Sequence, residues 1–328
     1  MIGAPLEWPE TKGKGIKVAV IDTGKPNHSD LRIADYVDFT GTGVEDRRGH
    51  STHCCGIIAA NGKIKGVAPE VELVTLKVFP DQGSASPAAI AGALQWCQKN
   101  KIDIISMSFG SPSDDSSIRQ EIKKCYEAGI VMVAAAGNFG RDYGVLYPAK
   151  YPEVLAVAAV DIDKKPAEWS AYGLELDLAA AGVDVYSTYL NGQYALLSGT
   201  SMACPHIAGA CAILQAKALK RFGRKLAPEE IRVALNLYAD DLGVPGKDER
   251  YGFGVFSFGR FHADDTVPRE VVMTIGQKEY TVNGLKSTMD VAPFLKDGRT
   301  FVPVRFVAEG LNARVEWDEK TRKVTITL

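Results

Sequence analysis

The chain has 328 residues, of which 46% are hydrophobic and 24% charged, with a formal net charge of −2. That length suits one large domain and one small one, and the balanced charge, with no dense Lys/Arg block, excludes a nucleic-acid partner. No apolar run reaches the roughly 18–20 residues that cross a bilayer, so no membrane span is expected.

From residue 16 onward, strand and helix patterns alternate. Strands are predicted over 16–21, 72–78, 102–107, 130–135, 154–160 and 176–178, and helices over 52–60, 87–99, 116–128, 201–221 and 228–237. The strands are short and almost unbroken in apolar residues, as in a parallel sheet buried on both faces. The expected fold class is α/β: a three-layer α/β/α domain over residues 1–262 with a mostly parallel central sheet. Residues 263–269 read as a linker, and residues 270–328 as a separate small α+β domain. In that second module, 271–275 and 279–282 alternate like half-exposed strands, 302–311 reads as a helix with Pro303 in its first turn, and 314–318 and 323–328 alternate again. At about 60 residues it lies near the lower size limit for folding alone.

The six cysteines do not form a disulfide framework. Cys54 and Cys55 are adjacent, and Cys204 and Cys211 stand two turns apart on one helix, about 10 Å along its axis and too far to bridge. All six read as thiols, which favours a reducing compartment. The first nine residues lack the basic start and apolar core of a signal peptide. The expected location is cytoplasmic; the alternative is a secreted or cell-surface protein whose leader has been removed. No Cys-x-x-Cys pair suggests zinc.

Four segments carry the chemistry. Val20-Ile21-Asp22-Thr23-Gly24 ends a buried strand in a carboxylate. Gly49-His50-Ser51-Thr52-His53 opens a helix with an imidazole, and Gly199-Thr200-Ser201-Met202-Ala203 places a hydroxyl at the mouth of a long small-residue helix. Ala135-Ala136-Gly137-Asn138 puts a side-chain amide on a tight loop. A serine hydroxyl becomes nucleophilic when a neutral imidazole takes its proton, and the imidazole needs a carboxylate to hold its tautomer. In this reading Ser201 attacks, His50 is base and then acid, and Asp22 orients His50. Asn138 and the Ser201 backbone N–H would hold the oxyanion. Ser201 also suits a helix N-cap, and His53 and His206 are expected to be structural.

In this order the four motifs resemble the subtilisin family of serine peptidases over about residues 3–258. The resemblance implies a serine endopeptidase that acts on proteins and peptides through an acyl-enzyme intermediate. It also implies that extended substrate lies between Gly83-Ser84-Ala85 and Ser108-Phe109-Gly110. Phe109, Ala135 and Gly137 would line the first pocket, with Phe139 at its rim favouring apolar or aromatic residues before the cut. Cys54 follows His53, as in the thiol-containing branch resembling proteinase K and thermitase, which implies inhibition by mercurials. Ser51 replaces the usual glycine of the histidine motif. Asp30 matches a carboxylate of the family's strong calcium site, although the loop 61–66 is shorter than the one that usually wraps the ion. A weaker cation site would use the carbonyls of Ala149, Tyr151 and Val154. Calcium is thus the implied metal, and no organic cofactor is expected. The rival reading is a silent subtilisin-like scaffold or surface-docking protein, with catalysis lost through Ser51 or the appended module.

Residues 298–305, 308–313, 315–318 and 323–326 resemble the small N-terminal stalk domain of copper amine oxidases. The module contains neither Cys nor His, so copper is not expected. Its resemblance implies a docking partner or self-association through 270–328; the alternative is a passive cap on the larger domain.

Overall fold

The computed structural model describes residues 2–260, 271–282, 285–310, 314–318 and 323–327. The expected linker, 263–269, lies outside these residues. The central sheet has nine strands: β1 (Lys17–Asp22), β2 (Ile33–Asp38), β3 (Glu72–Lys77), β4 (Ile104–Met107), β5 (Val131–Ala135), β6 (Leu155–Val160), β7 (Leu178–Ala181), β10 (Ala239–Asp240) and β11 (Val255–Phe256). Their spatial order is β10-β11-β7-β6-β5-β4-β1-β3-β2. All pairings are parallel except β10 with β11.

Alternation along β1 shows how the layers form. Val18 and Val20 join one apolar cluster, with residues of α1 (His50–Ala59) and α4 (Thr200–Phe222). Ala19 and Ile21 join the other, with α2 (Pro87–Lys99) and α3 (Ser116–Glu127). Successive side chains of a strand leave opposite faces, so a strand covered on both sides must be apolar throughout. The α/β/α architecture follows. Both chain directions leave from β1, with β3 on one side and β4 on the other. The gap beyond their carboxyl ends is where such sheets hold ligands.

The sequence pattern misses β2 and the hairpin of β8 (Val185–Thr188) and β9 (Tyr194–Leu197). These segments are largely half-buried or exposed and carry polar residues, so no apolar run marks them. β7 lies downstream of the expected 176–178; its Leu-Ala-Ala-Ala sequence has weak strand propensity and is held by β6 and β11. Helix α4 bears on the membrane expectation. It is long and apolar enough to cross a bilayer, but 83% of its most apolar stretch is buried inside the protein. Its apolar surface is already covered by the sheet and α1.

The C-terminal module contains the antiparallel meander β12 (Val271–Met273), β13 (Glu279–Val282) and β14 (Leu285–Thr288). Two hairpins follow, β15 (Phe294–Lys296) with β16 (Arg299–Phe301) and β17 (Arg314–Asp318) with β18 (Lys323–Thr327), separated by the helix Val304–Gly310. This is the expected small α+β arrangement, with β14 to β16 added. The helix starts after Pro303 rather than around it. The small core of Tyr280, Val282 and Met289 packs against Phe306 and against Leu237 of α5 (Pro228–Leu237).

Candidate active site

Asp22 is the last residue of β1 and is almost fully buried. One carboxylate oxygen accepts the Thr23 N–H at 2.7 Å. The two oxygens face His50 Nδ1 at 2.8 and 2.9 Å. His50 is the first residue of α1, reached through Gly49 in the left-handed region at φ 82°. A side chain at Gly49 would also strike the Tyr189 ring, so glycine is required there twice over.

The start of α1 is held by Asp46, which the sequence reading did not single out. Its Oδ1 accepts from the Thr23 hydroxyl (2.8 Å), Arg48 N (3.0 Å) and Gly49 N (2.9 Å). Its Oδ2 accepts from Thr52 N (2.8 Å) and the Thr52 hydroxyl (2.6 Å). Thr23 Oγ1 in turn accepts the Ser51 N–H at 3.0 Å. One buried carboxylate thus caps the His50 helix and ties it to the residue after Asp22. Leaving such donors unpaired costs about 1–3 kcal/mol each.

Burial alone would lower the pKa of His50, but the facing Asp22 carboxylate outweighs it and raises the value well above that of an ordinary histidine. His53 and His206 go the other way. Burial lowers both to about 4, and each is anchored to backbone carbonyls: His53 Nε2 to Val185 O and Ala195 O, His206 Nδ1 to Met202 O. They are structural, as expected. Ser51 is buried with its hydroxyl 3.9 Å from Cys55 Sγ.

Ser201 is the second residue of α4, whose N-cap is Gly199 without a side-chain cap, so Ser201 is not itself the cap. Its hydroxyl donates to the Ser108 carbonyl at 3.0 Å rather than to His50. Pro205 lies one turn on and has no N–H for the Ser201 carbonyl. That carbonyl accepts instead from Ser108 Oγ (2.9 Å) and Cys54 Sγ (3.4 Å). Cys54 Sγ is also 4.0 Å from His50 Nδ1, so this thiol bridges the two helix starts. Burial raises its pKa and keeps it a thiol. All six cysteines are free and buried, in line with the thiol reading.

Asn138 lies just beyond β5 on an exposed loop. Its Oδ1 accepts from Thr200 N (2.9 Å) and the Thr200 hydroxyl (2.8 Å). The Thr200 hydroxyl accepts the Gly137 N–H at 3.1 Å. This fixes the amide orientation and leaves Nδ2 as donor beside Gly199. Of the segments expected to hold substrate, 83–85 lies on the loop after β3 and 108–110 directly follows β4. Gly83 and Ser84 are exposed and Ala85 half-buried, with the Gly83 carbonyl accepting from Arg48 at 3.0 Å. On the other side, Phe109 packs edge-on against Phe79 with centroids 5.5 Å apart. Phe139 is exposed and packs against Tyr143. Ala135 and Gly137 are buried, and Gly137 faces the side chain of Leu146.

Residues 13–254 match the subtilase family model. The chain belongs to the subtilase family. It is a serine protease. It is 42% identical over 253 residues to the thermostable alkaline protease of Halalkalibacterium halodurans, covering 76% of this chain and 68% of that protein. Subtilisin DY of Bacillus licheniformis is 42% identical over 241 residues, covering 71% and 86%. The intracellular serine protease of Paenibacillus polymyxa is 40% identical over 269 residues, covering 77% and 82%. Residues 266–326 match the copper amine oxidase N-terminal domain model.

The two cation sites implied by resemblance do not fit this subtilase. Calcium takes six to eight oxygen ligands. Around Asp30 the chain presents donors instead: Oδ2 accepts from Ile64 N at 3.0 Å and the Tyr194 hydroxyl at 2.9 Å. A methyl group on Gly62 would lie 2.1 Å from Asp30 Oδ1, so the short loop itself closes on the carboxylate. Against burial, these donors and Lys63 hold the Asp30 pKa below the usual range. At the weaker site, Tyr151 O accepts the Val154 N–H at 3.0 Å. The Arg232 guanidinium, paired with Asp177, donates to the carbonyls of Val154 (3.3 Å) and Pro152 (2.8 Å). A protein cation thus stands beside one of the three expected carbonyls, that of Val154. Among the described residues, the one cluster with metal-ligand spacing is Asp22, His50 and Cys54, which is the site above.

Proposed function

We propose that this serine protease cuts peptide bonds internally, with Ser201 as nucleophile, His50 as general base and then acid, and Asp22 as its orienting carboxylate. The observation that carries this assignment is the Asp22–His50 pair at the carboxyl end of β1. It stands beside a helix whose second residue is Ser201, linked to it through Cys54. The carboxylate fixes the imidazole with its proton on Nδ1, leaving Nε2 to take the serine proton. The proposal requires the Ser201 hydroxyl to turn from the Ser108 carbonyl to His50, a tightening that substrate commonly induces in resting sites. Attack on the scissile carbonyl forms the Ser201–carbon bond and a tetrahedral oxyanion. Asn138 Nδ2 and the Ser201 N–H would stabilise that oxyanion. His50 then protonates the leaving amine, and water hydrolyses the acyl-enzyme through the same base. Extended substrate would pair with the backbone of 83–85 and 108–110 as an added strand.

We further infer that the fold does not depend on calcium at Asp30 or at the Tyr151 and Val154 carbonyls, because donors already serve those oxygens. Phenylmethylsulfonyl fluoride tests the catalytic assignment. It is expected to modify Ser201 stoichiometrically and abolish casein hydrolysis. Full activity after complete modification of Ser201, or labelling elsewhere with loss of activity, removes it.

A further inference from the structure

The two glycines beside the expected first substrate pocket do not frame an open cleft. A methyl group on Gly137 would stand 2.7 Å from Leu146 Cγ and 2.9 Å from its Cδ1. One on Gly110 would stand 2.8 Å from Leu146 Cβ and 3.0 Å from Cδ1. The Leu146 side chain therefore lies between the two segments assigned to grip the residue before the cut. Its backbone is tied to both. Leu146 N donates to Ala136 O at 2.9 Å, and the next residue, Tyr147, exchanges hydrogen bonds of 2.8 and 2.9 Å with Ser111. These bonds fix the position of the chain and hence where the isobutyl group stands. Leu146 is only 3% exposed, yet it belongs to neither of the two large apolar clusters that flank the sheet. Its burial comes from the walls of the site.

We propose that Leu146 is the raised floor of the first substrate pocket and restricts this protease to small side chains, alanine or glycine, immediately before the cut. The proposal rests on the peptidase reading above. It replaces the aromatic preference expected from Phe139. That ring is 56% exposed and lies edge-on to Tyr143 with centroids 5.3 Å apart. It can cover the mouth of a pocket but adds no depth to one. A benzyl group entering between Gly110 and Gly137 would have to displace Leu146 from close-packed surroundings. A methyl group would not.

Peptide p-nitroanilides that differ only in Ala, Leu or Phe before the anilide test the inference. The wild-type protein is expected to cleave the Ala peptide with a kcat/KM at least about tenfold above the Phe peptide, the scale on which a pocket discriminates by size. Leu146→Gly is expected to raise kcat/KM for the Phe peptide by at least about tenfold and to change the Ala peptide far less. Equal or better cleavage of the Phe peptide by wild type overturns the assignment of Leu146 while leaving the peptidase reading intact. If Leu146→Gly does not fold, the wild-type ranking decides alone. No hydrolysis of any of the three peptides, together with no labelling of Ser201 by a fluorophosphonate, removes the peptidase reading and this inference with it.

Discussion

The peptidase domain and the C-terminal module hold their shapes differently. In the first, strands covered on both faces pack into two large apolar clusters. In the second, among the described residues, a small core of Tyr280, Val282 and Met289 packs against Val271, Met273 and Phe306 and borrows Leu237 from α5. Phe294 and Phe301 stack on its surface, 48% and 44% exposed. Burial and the bonds to Asp46 fix Asp22 and the first turn of α1. Short hairpins around a thin core hold backbone pairing but leave apolar side chains uncovered. The groups proposed for catalysis all lie in the first region, and the second presents exposed aromatic rings.

Five measurements press on that contrast. The largest effect is expected from Ser201→Ala, which should lower kcat at least about 10⁴-fold while leaving the melting temperature unchanged. Turnover near wild type would place the nucleophile elsewhere. Asn138→Ala should lower kcat about 10²–10³-fold with little change in KM. A rise in KM alone would make Asn138 a binding residue instead.

The pH profile comes next. His50 must be neutral to accept a proton, and Asp22 raises its pKa, so kcat/KM should rise as pH increases and reach half its maximum well above 6.5. His53 and His206, at about 4, are already neutral there and add no inflection. The effect on stability has the opposite sign. The His50–Asp22 ion pair contributes fully below the unfolded histidine value and is lost as pH rises through the folded one. An acid limb centred below 6.5 would mean that Asp22 does not face His50 in solution.

Deleting residues 268–328 should leave casein hydrolysis in place. The melting temperature should fall by a few degrees, because uncovering Leu237 costs on the order of 1 kcal/mol. Loss of activity would show that the two regions work as one unit. The smallest effect is expected from excess EDTA, which should not shift the melting temperature. A fall of several degrees would restore a metal to the structure.

Much of the first region was legible in the sequence, for a physical reason. Strands buried on both faces are mostly apolar, so β1, β3, β4, β5 and β6 stood out as short, almost unbroken runs. Of the residues proposed for catalysis, Asp22 sits at the end of such a run, and His50 and Ser201 open helices. Edge strand β2 and the β8–β9 hairpin are partly exposed, carry polar residues and leave no comparable pattern. Asp46 was missed because a carboxylate in a charged loop looks solvated until five donors surround it. The resemblance at Asp30 pointed to calcium because the carboxylate matched; whether carbonyls or N–H groups would face it depended on how the short loop 61–66 closed.

Residue types and their order along the chain were enough to determine the layered α/β class and the family, and to nominate the groups proposed for acyl transfer. Those properties depend on local chemistry and on periodicity. The tertiary structure alone decided that Leu146 stands between Gly110 and Gly137, that Arg232 meets the Val154 carbonyl, and that the Ser201 carbonyl, left free by Pro205, is taken by Ser108 and Cys54. Each of these is a contact between segments distant in sequence, and such contacts are set by the packing of the whole sheet and its helices.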